Sequence, residues 1–238
     1  MVILQATTLL KMRQTPGFSG QTLGYIAPGV LTYAVGGFKE ADDLTWLHIA
    51  APCQDGTWRD GWCASGQDGQ VYLAGYEFSF TLDYPLGRTM PITQMFGENP
   101  DIYSRFKLIG HNGLDFGCPV GVPVIAIDAG QATHVRNDPA GYGNYVRIDH
   151  VWGVSLYAHM DRFAISEGEW IRRGMGIGTS GNTGGSKGPH LHFEIRIFPT
   201  NDNNGFGGRI DPLAFLPTNQ MMIPDYVPGN LRALFVGQ

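Results

Sequence analysis

The chain is poor in charge and has no long apolar run: charged residues make up 16% of its 238 positions, and no Lys/Arg run exceeds a pair. Nothing approaches the roughly 18 consecutive apolar residues of a membrane-spanning helix. A formal net charge of −5 without a basic stretch leaves no electrostatic footprint for nucleic acid. Cysteine is scarce. Three residues cannot all pair, so at least one thiol stays unpaired or bridges between chains. Cys53 and Cys63 would bond only if their strands were adjacent, and reduced thiols are the expectation. Cys118 is expected to be buried. The amino terminus, Met1 to Ala6, lacks the basic region and sustained apolar segment of a signal peptide. The helical metal motif H-E-x-x-H is also absent, so that pattern provides no glutamate base. No internal repeat or low-complexity segment occurs.

What the chain has in abundance is turn chemistry. Thirty-four glycines and fifteen prolines, with many Val, Ile, Thr and aromatic residues, predict a turn-rich, mainly β protein. Its length suffices for one medium core and a smaller second one. Residues 1–73 read as short strands at close spacing: 7–13, 22–26, 31–35, 44–49, 61–64 and 71–73. That spacing suggests a small barrel. Residues 74–83 read as a connection in which Tyr76 to Phe80 alternates like an extra strand. Brief helices are expected at 167–173 and 230–235. Residues 218–238 form a tail whose segment 223–228, carrying Pro224 and Pro228, is extended.

The segment Gly188-Pro189-His190-Leu191-His192-Phe193-Glu194-Ile195 places two imidazoles two residues apart in a β-favouring run. A strand turns i and i+2 to one face, with Cα atoms about 7 Å apart. Donor atoms around one zinc lie closer together than that. One ring then binds directly while its neighbour faces an open coordination position. Upstream, His111-Asn112-Gly113-Leu114-Asp115 offers an imidazole and a carboxylate four residues apart. Gly113, Gly117 and Pro119 argue against helix. In a straight strand His111 and Asp115 would be about 13 Å apart, so the chain must bend between them, and Asn112-Gly113 supplies the bend. Ser155 to Met160 puts a further histidine, His159, on another alternating segment. Glu194 returns to the face of both histidines, where it either orients a ring or serves packing alone. His48, His134 and His150, with Asp128 and Asp149, read as surface or packing residues.

The trio H-x-x-x-D, Y-x-H and P-H-L-H-F-E, in that order within about eighty residues, resembles the lysostaphin and LytM type of zinc endopeptidase, the M23 peptidases. The intervening 121–126, 128–130, 142–146, 174–178 and 181–184 agree with it, and the resemblance covers residues 84–217. It implies an antiparallel β-sheet peptidase domain in which His111, Asp115 and His192 hold one Zn²⁺ and leave a fourth position for water. His159 and His190 would be the catalytic, non-ligand pair facing that water. Tyr103 would stabilise the tetrahedral intermediate, as an upstream tyrosine does in some relatives. Residues 1–73 resemble bacterial SH3-like (SH3b) modules, through Thr8 to Arg13, Trp46-Leu47-His48-Ile49 and Gly61-Trp62-Cys63. Such modules bind wall peptides, here through Tyr25, Tyr33, Trp46, Trp58 or Trp62.

The implied activity is hydrolysis of peptide cross-links or stem peptides of bacterial peptidoglycan, outside the cell or in the periplasm, with loops 97–110, 136–145 and 180–188 flanking the groove. The competing expectations are a catalytically inactive wall-binding or amidase-activating protein and a peptidase of glycine-rich proteins. Delivery to the wall has three readings: a signal already removed, another export route, or a phage-encoded protein released by lysis or carried on a virion. The last is favoured, because residue 1 leads almost directly into a folded module.

Overall fold

Strand-forming sequence dominates the chain, and two sheets account for most of the computed structural model, which describes residues 1–77 and 80–235. The first sheet uses β1 (Ile3–Ala6), β2 (Leu10–Arg13), β3 (Thr22–Ile26), β4 (Leu31–Ala41), β5 (Leu44–Pro52), β6 (Trp58–Ala64) and, after the small hairpin β7 (Gly66–Gln67) and β8 (Gln70–Val71), β9 (Leu73–Gly75). Its order is β3-β2-β6-β5-β4-β1-β9. Among the described residues β3 and β9 do not pair, so the sheet curls without closing. The second sheet contains β10 (Ile92–Gln94), β11 (Leu114–Gly117), β12 (Pro123–Ile125), β13 (Gly130–Asp138), β14 (Gly143–Asp149), β15 (Gly153–Phe163), β16 (Trp170–Ile171), β17 (Gly176–Ser180) and β18 (His190–Ile197). Its principal path is β10-β11-β18-β15-β14-β13-β16, all antiparallel, with β12 and β17 paired beside it.

β18 shows why this sequence is a central strand. Leu191, Phe193 and Ile195 alternate onto the core face and are fully buried, so His190, His192, Glu194 and Arg196 take the other face. Losing Phe193 to alanine there would cost about 3–5 kcal/mol through lost transfer and cavity terms. Pairing Leu114 with Phe193 and Phe116 with Leu191 continues the same apolar layer into β11.

The two sheets share one contiguous core. Trp58 Nε1–H donates to Phe96 O at 3.0 Å, and Tyr33 OH donates to Asp211 Oδ2 at 2.6 Å. These contacts correct the expectation that Tyr33, Trp46 and Trp58 are exposed for wall binding: they are buried. Their rings are needed to fill a small core and its join to the second sheet. Tyr25 remains exposed and Trp62 half-buried, stacked on His48 with ring centroids 4.9 Å apart.

Other local expectations shift for identifiable reasons. β1 lies in the segment read only as an amino terminus, and β4 runs on to Ala41. Residues 167–173 are a turn followed by β16, which pairs with Gly130 and Gln131, so tertiary pairing overrides the weak helical pattern. The terminal helix is one turn, α2 (Gly229–Arg232). Another unanticipated turn, α1 (Pro100–Tyr103), begins with the proline that its first position tolerates. Within the alternating run 76–80, Phe78 and Ser79 lie outside the described residues, and Tyr76, Glu77 and Phe80 are not in a strand. All three cysteines are buried and unbridged. No described helix is long and apolar enough to cross a membrane.

Candidate metal centre and active site

Strand register builds most of the centre. Asp115 of β11 lies directly opposite His192 of β18, and Ala158 of β15 faces His192 from the other side. His111 precedes β11, tied down by its N–H to Glu98 O and its carbonyl to Gly97 N–H, both at 2.8 Å. The chain then bends at Gly113, where a Cβ would sit 2.4 Å from Phe193 O, so only glycine fits. The bend brings His111 Nε2 to 3.1 Å from Asp115 Oδ1, while His192 Nδ1 lies 2.8 Å from the same oxygen. The two ring nitrogens are 2.9 Å apart.

The protons decide what this cluster can hold. His111 Nδ1–H donates to Met95 O at 3.0 Å, and His192 Nε2–H donates to Glu194 Oε1 at 3.0 Å. Each ring then carries its lone pair on the nitrogen that faces Asp115. With both rings neutral, two lone pairs and a carboxylate oxygen converge on one point that suits a cation; without a metal, a proton on His192 Nδ1 donated to Asp115 takes that place. Burial opposes a charged His192, but hydrogen bonds to Asp115 and Glu194 outweigh it and push its pKa up to about 9. Burial likewise opposes ionised Asp115, and His111 with His192 holds it well below the usual carboxylate range. The donor set, two imidazoles and one carboxylate all within 4.8 Å, fits a three-ligand zinc site with an open position.

His159 and His190 meet on the open side, with ring centroids 4.6 Å apart. His190 Nδ1–H donates to Gly188 O at 2.7 Å and His159 Nδ1–H donates to Thr183 O at 2.8 Å. Both Nε2 atoms are therefore left as acceptors, that of His190 being 3.8 Å from Asp115 Oδ2. Reaching this position strains β15. Since Ala158 faces His192, regular alternation would turn His159 to the opposite side, but its φ of 59° and a bulge against β14 between Tyr157 and Met160 bring the ring round. Left-handed backbone at a non-glycine residue costs about 1–2 kcal/mol. Burial first, then His192 and His190, lowers the His159 pKa to about 4, so the ring is neutral above that pH.

Tyr103, at the end of α1, has its ring 5.2 Å from that of His111. Its hydroxyl is 3.5 Å from Gln94 Oε1, a contact long enough to exchange for another acceptor. Burial, then Asp115, raises its pKa, so it stays a proton-bearing donor. Tyr103, Asp115, His159, His190 and His192 all border one groove of about 740 Å³. Segments of the three anticipated flanking loops form its walls, including Ile102 to Phe106, Asp138 to Tyr142 and Gly185 to Gly188.

Sequence reasoning left Glu194 between two roles and missed its partners. Its Oε1 accepts from His192, from Tyr142 OH at 2.6 Å and from Asn112 Nδ2; its Oε2 accepts from Arg209 Nε at 2.8 Å. Arg209 also donates to Tyr142 OH at 2.9 Å. Burial opposes ionisation of Glu194, and Arg209 followed by His192 holds the carboxyl down at about 2. This carboxylate fixes the tautomer and plane of His192. Its residue spacing from His192 was the available signal; Arg209 carried none.

A metallopeptidase-type centre on an antiparallel sheet is the class these features define. Residues 109–211, which span the metal cluster and most of the second sheet, match the family model described as Peptidase family M23 and form a domain of that family. It is 39% identical over 136 residues to the peptidoglycan DD-endopeptidase ShyB of Vibrio cholerae, covering 55% of this chain and 32% of that protein. It is 48% identical over 88 residues to the DD-carboxypeptidase/endopeptidase Mpg of Neisseria meningitidis, covering 37% and 20%. The chain thus spans a third or less of these curated relatives. The solved structure of LytU is similar at 30% identity, covering 59% of this chain and 88% of that one, with a TM-score of 0.44.

Proposed function

We propose that the chain is a zinc-dependent endopeptidase that cuts peptide cross-links or stem peptides of bacterial peptidoglycan, using a peptidase unit at 84–217. The carrying observation is the convergence of His111 Nε2, Asp115 Oδ1 and His192 Nδ1, with two further imidazole acceptors on the open side. Similarity to ShyB, a peptidoglycan DD-endopeptidase, supports a peptidoglycan substrate. A bound Zn²⁺ supplies Lewis acidity, which acidifies water and polarises a scissile carbonyl.

The side chains do the rest. His159 Nε2 and His190 Nε2, each held by an Nδ1–H bond to a backbone carbonyl, accept the proton of the attacking water and return it to the leaving amine. Tyr103 OH exchanges Gln94 for the oxyanion of the tetrahedral intermediate. Glu194, braced by Arg209 and Tyr142, keeps His192 in its ligating tautomer. The curled amino-terminal sheet aids attachment through its exposed Tyr25 and the Trp62 stack, and it buttresses the Met95–Phe96 segment behind His111. Zinc-loaded protein is expected to release new amines from defined cross-linked muropeptides and little from oligoglycine. An Asp115→Ala control releasing as many amines as the wild type would defeat this reading.

A further inference from the structure

On the groove face of the large sheet, a smaller recess of about 160 Å³ adjoins the metal cluster, separated from the main groove by Tyr142 and Arg209, which line both. Strand register makes its other wall cationic. His134 of β13 lies opposite Arg147 of β14, Arg147 opposite Leu156 of β15, and Leu156 opposite Glu194 of β18, with Arg196 one strand step beyond. These groups differ in how well they are satisfied. Arg209 is occupied by Glu194, Tyr142 and Gly207 O. Arg147 grips Asp149 through Nε at 2.8 Å and Nη2 at 3.4 Å. The Arg196 side chain, by contrast, makes no hydrogen bond among the described residues; its one ion-pair partner there, Asp202, is 3.9 Å away, and 34% of the side chain is exposed. His134 Nδ1 is buried without a partner. Burial and then Arg209 lower the pKa of Arg196, while Glu194, Tyr142 and Asp202 offset part of that.

Polar groups withdrawn from water normally find partners, and a guanidinium fork matches a carboxylate bidentately. Arg147, Arg196 and Arg209 set against Asp149 and Glu194 leave one positive charge, shared at 3.9 Å with the exposed Asp202, which suits a monoanion better than a phosphate dianion placed beside Glu194. We infer that this recess is a carboxylate subsite, in which Arg196 holds a free carboxyl group of the peptide lying in the adjoining groove. The inference rests on the peptidase reading and adds to it a preference for substrates with a free carboxyl group close to the cleaved bond.

The test reads binding without turnover. Zinc-loaded full-length protein is titrated with N-acetyl-D-alanine, with its amide and with inorganic phosphate, following the arginine Nε–H resonances. The acid is expected to bind and shift Arg196, the amide to leave it unmoved, and phosphate to bind more weakly than the acid. Arg196→Gln is expected to weaken acid binding about tenfold, and Arg196→Lys, which keeps charge and packing, to weaken it less. Zinc content and cleavage of amide-capped peptides should be unchanged in both. Equal affinity for acid and amide, tighter binding of phosphate, or unaltered acid binding in both variants would overturn the subsite. Failure of the peptidase reading shows separately, as absence of cleavage with any peptide while selective binding of the acid persists.

Discussion

Replacing Glu194 by glutamine removes one charge with almost no change of shape, and the structure sets the size of the consequence. The Glu194 side chain is 3% exposed and that of Arg209 is 15% exposed, so the variant leaves a buried guanidinium facing an amide. Breaking one side of a buried pair costs about 3–5 kcal/mol. Linkage gives a similar figure. A carboxyl held at about 2 rather than 4.5 contributes about 3 kcal/mol. Because the folded pKa is depressed, that stability is fully present above pH 4.5 and is lost as pH falls through 2. At neutral pH the metal-free variant should melt about 6–15 °C below wild type, by calorimetry. The amide retains one acceptor oxygen where the carboxylate's Oε1 serves His192, Tyr142 and Asn112, so the His192 ring loses its fixed orientation. Zinc affinity, measured by competition with a chromogenic chelator, should fall about 10- to 100-fold. Wild-type melting together with wild-type zinc affinity would refute the proposed brace.

Three further outcomes follow from the same geometry. His159→Ala and His190→Ala should lower turnover about 100-fold or more while keeping zinc, whereas His111→Ala should lose both; equal metal loss in all three would contradict the division of roles. Tyr103→Phe should lower kcat about 100-fold with KM little changed, because its hydroxyl acts on the intermediate; a change confined to KM would place it in substrate binding instead. Burial raises the Asp211 pKa from 3.8 to about 6, so the folded state binds the extra proton and stability falls by about 3 kcal/mol as pH rises from 4 to 6. Asp211→Asn should flatten that slope in denaturant titrations, and an unchanged slope would remove Asp211 as its source.

How far the site could be read in advance depended on sequence distance. His190 and His192 share a face by strand parity, and the glycine-bearing bend between His111 and Asp115 could be reasoned from reach alone. His159 could be placed on a strand but not on its observed side, because a left-handed residue and a bulge set its direction and alternation predicts the reverse. Tyr142 and Arg209 lie 52 and 15 residues from Glu194 and converge on it only through folding. The amino-terminal aromatics show the same boundary. Composition suggested a small β module, but whether Tyr33 or Trp58 faces water depends on the second sheet, since Asp211 and Phe96 supply their hydrogen-bond partners. Weak helical signals at 167–173 yielded to strand pairing with β13.

The most direct test of the account is the zinc content of the purified protein by elemental analysis, run beside His192→Ala after identical reconstitution with Zn²⁺. The account predicts about one zinc per wild-type chain and near-complete loss in the variant, because removing Nδ1 leaves only two of the three converging donors. A wild-type protein that takes up no zinc, or a variant that retains it, would contradict the central claim.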